Sequence, residues 1–201
     1  MGCLEPLKNS ESQQHLLRDQ AVQHLKDQVT SMLLELPGVT RGTRFGGEAF
    51  FYRKKFFCHY QPAHGSFFLE TFVWKNVNAV LGKIPGAISH PEYGAYGWVR
   101  LPISSASEIV QAKMLVEMTY RYIRTTKRIS VDKDQFSDEL LSLVKAKFPQ
   151  IRFKSGESKK RIQIIMETPE LTDFDRAEVL LNQAARALRK GKLMIGSRMV
   201  S

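Results

Sequence analysis

Cysteine is scarce: Cys3 and Cys58 are the only two in 201 residues. Two cannot build a disulfide framework, and a reducing compartment is the simplest setting. Long apolar runs are absent, so no segment approaches the length of a membrane span. The N-terminal MGCLEPLKNS has no apolar stretch of the kind a signal peptide needs. Met1-Gly2-Cys3 opens like a myristoylation signal, but Pro6 stands where that signal needs Ser or Thr. These absences predict a soluble, cytoplasmic protein without a membrane partner.

Catalytic signatures are missing as well. There is no G-x-S-x-G elbow, and the glycines of GTRFGGEAF match neither the P-loop nor the dinucleotide fingerprint. Cys58, His59, His64 and His90 supply ligand types, but no C-x2-C or H-x3-H spacing unites them. Strand alternation would also send Cys58 and His59 to opposite faces. Cys58 reads as a buried, inert thiol in an aromatic strand. The expectation is a non-enzymatic protein with no metal and no cofactor.

What the chain does have is positive charge. Thirty Lys and Arg against 20 Asp and Glu leave a net charge of +10 and a pI near 9.7, while the apolar fraction of 43% is ordinary. Such a balance favours a polyanionic partner: nucleic acid, an anionic surface or an acidic protein.

Apolar periodicity predicts a helix over 12–36 that Pro37-Gly38 ends, then strands at 48–52, 56–60 and 67–73 and a short helix over 75–82. The Pro- and Gly-rich KIPGAISHPEYGAYG reads as a loop before a strand at 98–103. A long helix opens at Ser105, whose spacing from Glu108 fits a capping box, and runs to 128. Ile109, Ala112, Val116, Thr119 and Ile123 form its buried stripe. Its last turns carry Arg121, Arg124, Lys127 and Arg128, which the helix dipole alone would favour. A domain boundary is placed near Ser130, giving residues 1–129 and a small basic α-β-β-α domain over 130–201. In the latter, helices at 134–147 and 172–191 enclose strands near 150–154 and 160–167 and a turn at Ser155-Gly156-Glu157-Ser158. The predicted class is α+β.

The stretch FFYRKKFFCHY at 50–60 places three cations between aromatic blocks. It reads as a hairpin whose flanks pack and whose tip, Arg53-Lys54-Lys55, stays in water. A second hairpin alternates Ile151 and Phe153 with Arg152 and Lys154, and Ile162 and Ile164 with Lys159 and Arg161, with Lys160 beside the turn. Cationic ribbons of this width can meet phosphates along a groove. Tyr93, Tyr96 and Trp98 could stack on bases; alternatively, Trp98 packs under the long helix and the tyrosines cover the sheet end.

Leu36-Pro37-Gly38-Val39 follows the first helix, Tyr52-Arg53-Lys54-Lys55-Phe56 forms the basic turn, and Gly97-Trp98-Val99 precedes the long helix. In these motifs and their order, residues 20–128 resemble the MmcQ/YjbR family. The resemblance implies a CyaY-like fold, with helices on one face of an antiparallel sheet, and DNA binding through β-hairpin wings. The functional expectation is therefore a nucleic-acid-binding protein, DNA foremost. Its phosphate contacts would come from Arg53, Lys54, Lys55, Arg121, Arg124, Lys127, Arg152, Lys154, Lys159, Lys160 and Arg161. The alternative is an adaptor that docks an acidic protein through the same cations.

Overall fold

The computed structural model describes residues 6–157, 160–168 and 170–189; the side chains of 6–12, 135 and 157 are outside it. The fold is α+β, and the chain divides into two compact units, Met1–Tyr120 and Arg121–Ser201.

The first unit is built on a six-stranded antiparallel sheet in the order β1-β2-β3-β4-β6-β5. Its strands are β1 Val39–Arg44, β2 Gly47–Tyr52, β3 Lys55–Ala63, β4 Ser66–Phe72, β5 Ile88–Ser89 and β6 Trp98–Ile103. Three helices accompany it: α1 Pro6–Leu34, α2 Val77–Lys83 and α3 Ser107–Thr125, the last running past the division between the units. One sheet face forms the core with α1 and α3. The Tyr60 hydroxyl lies 3.0 Å from Thr30 Oγ1 on α1, Thr119 on α3 donates to Thr71 Oγ1 at 3.1 Å, and Tyr52 meets Tyr120 edge to face. Leu25, Val29 and Leu33 of α1 and Ala112, Leu115 and Val116 of α3 are buried. Ile109 and Ile123 are only half-buried, so the buried stripe of α3 lies slightly aside from the expected one. At its start Glu108 accepts the Ser105 N–H at 2.7 Å, the carboxylate half of the predicted capping box.

Strand β1 was not expected, because Arg41-Gly42-Thr43-Arg44 carries no apolar alternation and only Val39 is buried. It is an edge strand held by register with β2, and its arginines suit a sheet edge that must not recruit further strands.

The second unit contains β7 Thr126–Asp132, α4 Asp138–Lys147, β8 Arg152–Glu157, β9 Arg161–Glu167 and α5 Phe174–Arg189, with strand order β7-β9-β8. Its core gathers Ile129, Val131, Leu140, Val144, Ile162, Ile164, Leu181 and Leu188. Helix α3 stops at Thr125 and passes directly into β7, so a boundary at 130 would cut through a strand paired along its length with β9. The β-branched Thr126, Ile129 and Val131 outweigh the cation-rich helix end that the same residues suggest. Strand β8 also extends through Ser155 and Gly156, which pair with Ile164 and Gln163.

Candidate nucleic-acid interface

The β2–β3 hairpin closes on two residues: Tyr52 faces Lys55, and Arg53 and Lys54 take φ of 45° and 70°. Two positive φ values are the mark of a type I′ turn, reached here without glycine. Arg53, Lys54 and Lys55 are exposed, and the Arg53 guanidinium lies 5.5 Å from the Tyr52 ring centre. Lys55, expected in the tip, is the first residue of β3.

A β-bulge decides what this hairpin offers. Phe50 pairs with Cys58 but Phe51 pairs with Phe56, so Phe57 is an extra residue in β3. Cys58 and Tyr60 point to the core with Phe50. Beyond the bulge Phe56 shares the opposite face with Phe51 and His59, their rings 5.8 and 5.6 Å from Phe56.

On that opposite face the aromatic rings form a continuous row. Phe45, in the β1–β2 turn, lies 5.8 Å from Phe56; Phe56 is 5.4 Å from Trp98; Trp98 is 5.6 Å from Phe72; Phe72 is 6.1 Å from Trp74. Phe51, Phe56, Phe72, Trp74 and Trp98 are half-buried, and Phe45 is 75% exposed. The Arg44 guanidinium sits 4.4 Å from the Phe56 ring centre and 5.0 Å from that of Phe45, within cation–π range. Trp98 thus lies on the face away from α1 and α3, not beneath the long helix. Tyr93, half-exposed, leans against His90 with ring centres 4.9 Å apart, and Tyr96 is 67% exposed in the turn before β6.

Beside the row, two residues along the strands on the same face, lies a buried polar cluster with no sequence signature. The Glu70 side chain is 3% exposed; its Oε2 accepts from His59 Nε2 at 2.9 Å and its Oε1 lies 2.7 Å from Arg100 Nη2. His90 Nδ1 accepts the backbone N–H groups of Glu92 and Tyr93 at 3.1 and 3.0 Å. Its Nε2 lies 3.0 Å from Arg100 Nη2 and 3.4 Å from Glu70 Oε2. Burial pushes the Glu70 carboxyl up, but the His59 hydrogen bond and the charges of His59, Arg100 and His90 outweigh it and hold it below its ordinary value. Arg100 also lies 4.7 Å over the Phe68 ring. Among the described residues no group of three His, Cys, Asp or Glu is arranged to hold a metal, and Arg100 against Glu70 opposes a cation there. Pairing across β3, β4 and β6 assembled this cluster: His59 faces Glu70, and Glu70 faces Arg100. No sequence spacing signals it.

In the second unit the expected cations behave differently. The predicted alternation is present: Arg152, Lys154 and Arg161 are exposed, while Ile151, Ile162 and Ile164 are buried. Their charges, however, meet carboxylates: Arg152 with Glu170 at 2.5 Å, Lys154 with Glu167 at 2.8 Å and Arg161 with Asp132 at 3.3 Å. Lys127 donates to Asn182 at 2.6 Å. Arg124 is buried, paired with Asp175 at 2.5 Å and Glu178 at 3.4 Å and packed on Phe174, which makes it a core contact of this unit. Arg121 and Lys160 are exposed, and Lys159 lies outside the described residues.

Comparison with family models, curated proteins and solved structures finds no match. Among the described residues no helix is long and apolar enough to cross a membrane.

Proposed function

We propose that the protein binds single-stranded nucleic acid on the aromatic face of its six-stranded sheet, in a cytoplasmic setting. The row from Phe45 through Phe56, Trp98 and Phe72 to Trp74 carries this reading. Unpaired bases stack on such platforms regardless of sequence, at about 1–3 kcal/mol per base. Arg44 within the row and Arg53, Lys54 and Lys55 at the next turn supply charge for the phosphates. The MmcQ/YjbR resemblance, itself part of the proposal, points to the same β2–β3 hairpin. A ribbon role for Arg152, Lys154 and Arg161 is given up, because each already faces a carboxylate.

The test is fluorescence anisotropy of a labelled oligothymidylate against the same length of duplex, over a range of salt. Single strand should bind more tightly, with log affinity falling by roughly 0.7 per log unit of salt for each phosphate contacted. Phe45→Asn should lose about tenfold, one stacked base. Equal affinity for duplex with no effect of Phe45→Asn, or no binding at low salt, overturns the proposal. Capture of a protein partner after nuclease treatment, without strand binding, would favour the acidic-partner adaptor instead.

A further inference from the structure

At the Trp74 end of the aromatic row the surface opens into a cleft of about 430 Å³, lined by Trp74, Lys75, Asn78, Ser89, Ala95 and Tyr96, with Gly94 and Gly97 in its wall. That volume lies in the range of small-molecule sites. Its wall is held by unusual backbone. Trp74 takes φ of +53°, a costly conformation for a bulky residue, and Gly97 takes φ of +97°. One carbonyl clamps the turn: Gly97 O accepts the N–H groups of both Val73 and Trp74, at 2.8 and 3.0 Å. A Cβ on Gly97 would fall 2.3 Å from Trp74 Cα, and one on Gly94 would fall 2.0 Å from Ser89 Oγ. The Gly97 clash is with backbone, so only glycine lets that turn close this tightly, whereas the Gly94 clash is with a serine hydroxyl that can rotate away.

The contents suit one kind of guest. Trp74 and Tyr96 offer aromatic surface for a planar heterocycle, and Tyr96 is largely exposed. The Asn78 amide presents a donor and an acceptor together, the pairing that reads a base edge. Ser89 adds a hydroxyl, and the exposed Lys75 adds a cation for a phosphate. We propose that the cleft takes a single unstacked nucleobase with its phosphate, as the terminal subsite of the strand on the aromatic face. The proposal deepens the single-strand reading and rests on it.

The chain has two tryptophans, so Trp98→Phe leaves Trp74 as the sole reporter. In that variant, titration with nucleoside monophosphates should quench the emission saturably. Lys75→Ala should weaken the monophosphate about tenfold and leave the phosphate-free nucleoside unchanged. Ala95→Phe, at an exposed position in the cleft, should abolish monophosphate binding and weaken the oligonucleotide about tenfold in the anisotropy assay, with an unchanged circular dichroism spectrum as the check on folding. An oligonucleotide that binds while monophosphates do not quench, and that ignores Ala95→Phe, overturns the cleft but spares the aromatic face. Quenching by ribose 5-phosphate to the same extent as by monophosphates overturns base recognition. Monophosphate binding without strand binding overturns the strand reading and the terminal-subsite assignment together.

Discussion

Arg53 and Lys54 occupy left-handed backbone at the β2–β3 turn, where Asn-Gly would be at ease. An L-residue held there costs about 1–2 kcal/mol, and neither side chain recovers that by burial, since both are exposed. Arg53→Asn with Lys54→Gly should therefore raise unfolding stability in urea by about 1 kcal/mol while weakening strand binding and lowering its salt dependence. A variant that loses stability would show that the cations support the turn instead. Phe45 is a parallel case: φ of 54°, a ring 75% exposed, and no structural return for the strain beyond contacts with Arg44, Phe56 and His59. Cys58 is the reverse, fully buried. Desolvation first, then the Glu48 and Glu70 charges, push its thiol well above its ordinary range and keep it protonated. In the native protein Cys58 should resist thiol reagents until denaturant is added; rapid labelling of native Cys3→Ser protein, in which Cys58 is the sole thiol, would contradict this.

Among the elements, β3 shows how one residue reallocates two faces. Without the bulge at Phe57, Phe56, Cys58 and Tyr60 would share a side by simple alternation. With it, Phe56 joins His59 outside and Cys58 stays inside. The same pairing stacks His59, Glu70 and Arg100 across three strands. Glu70 is held below its ordinary pKa, so its stabilisation is complete above the unfolded carboxyl value, about 4.3, and is lost as pH falls through the lower folded value. Glu70→Gln should cost about 3 kcal/mol at neutral pH, because it leaves Arg100 half-buried without its counter-charge. The gap between variant and parent, followed by urea unfolding, should narrow on acidification below about pH 4. A gap that stays constant with pH would assign the cost to packing.

Over the whole molecule, a charge of +10 says less than its placement. Exposed pairs such as Arg152–Glu170 contribute about 0–1 kcal/mol to stability, but they cancel the field that would attract a polyanion. Replacing Arg152, Lys154 and Arg161 together by Gln should leave strand affinity within about twofold, whereas the Arg53 and Lys54 variant lowers it. An equal loss from both would show that net charge, and not the first unit's sheet face, drives binding. The two units also differ in what their sheets expose: aromatic rings in the first, matched charge in the second.

The sequence by itself determined the α+β class, the helices, the basic turn and the alternating faces of the second hairpin. These follow from local periodicity, turn residues and breakers, all written within a few positions of one another. It could not disclose β1, whose only credential is its partner β2, nor β7, hidden in a run that also looks like a helix end. Tertiary structure alone decided which aromatics face water, which cations of the second unit meet carboxylates and that Glu70 meets His59 and Arg100. Each of those outcomes depends on strand register and on residues far apart in the chain, and a single bulge is enough to change them.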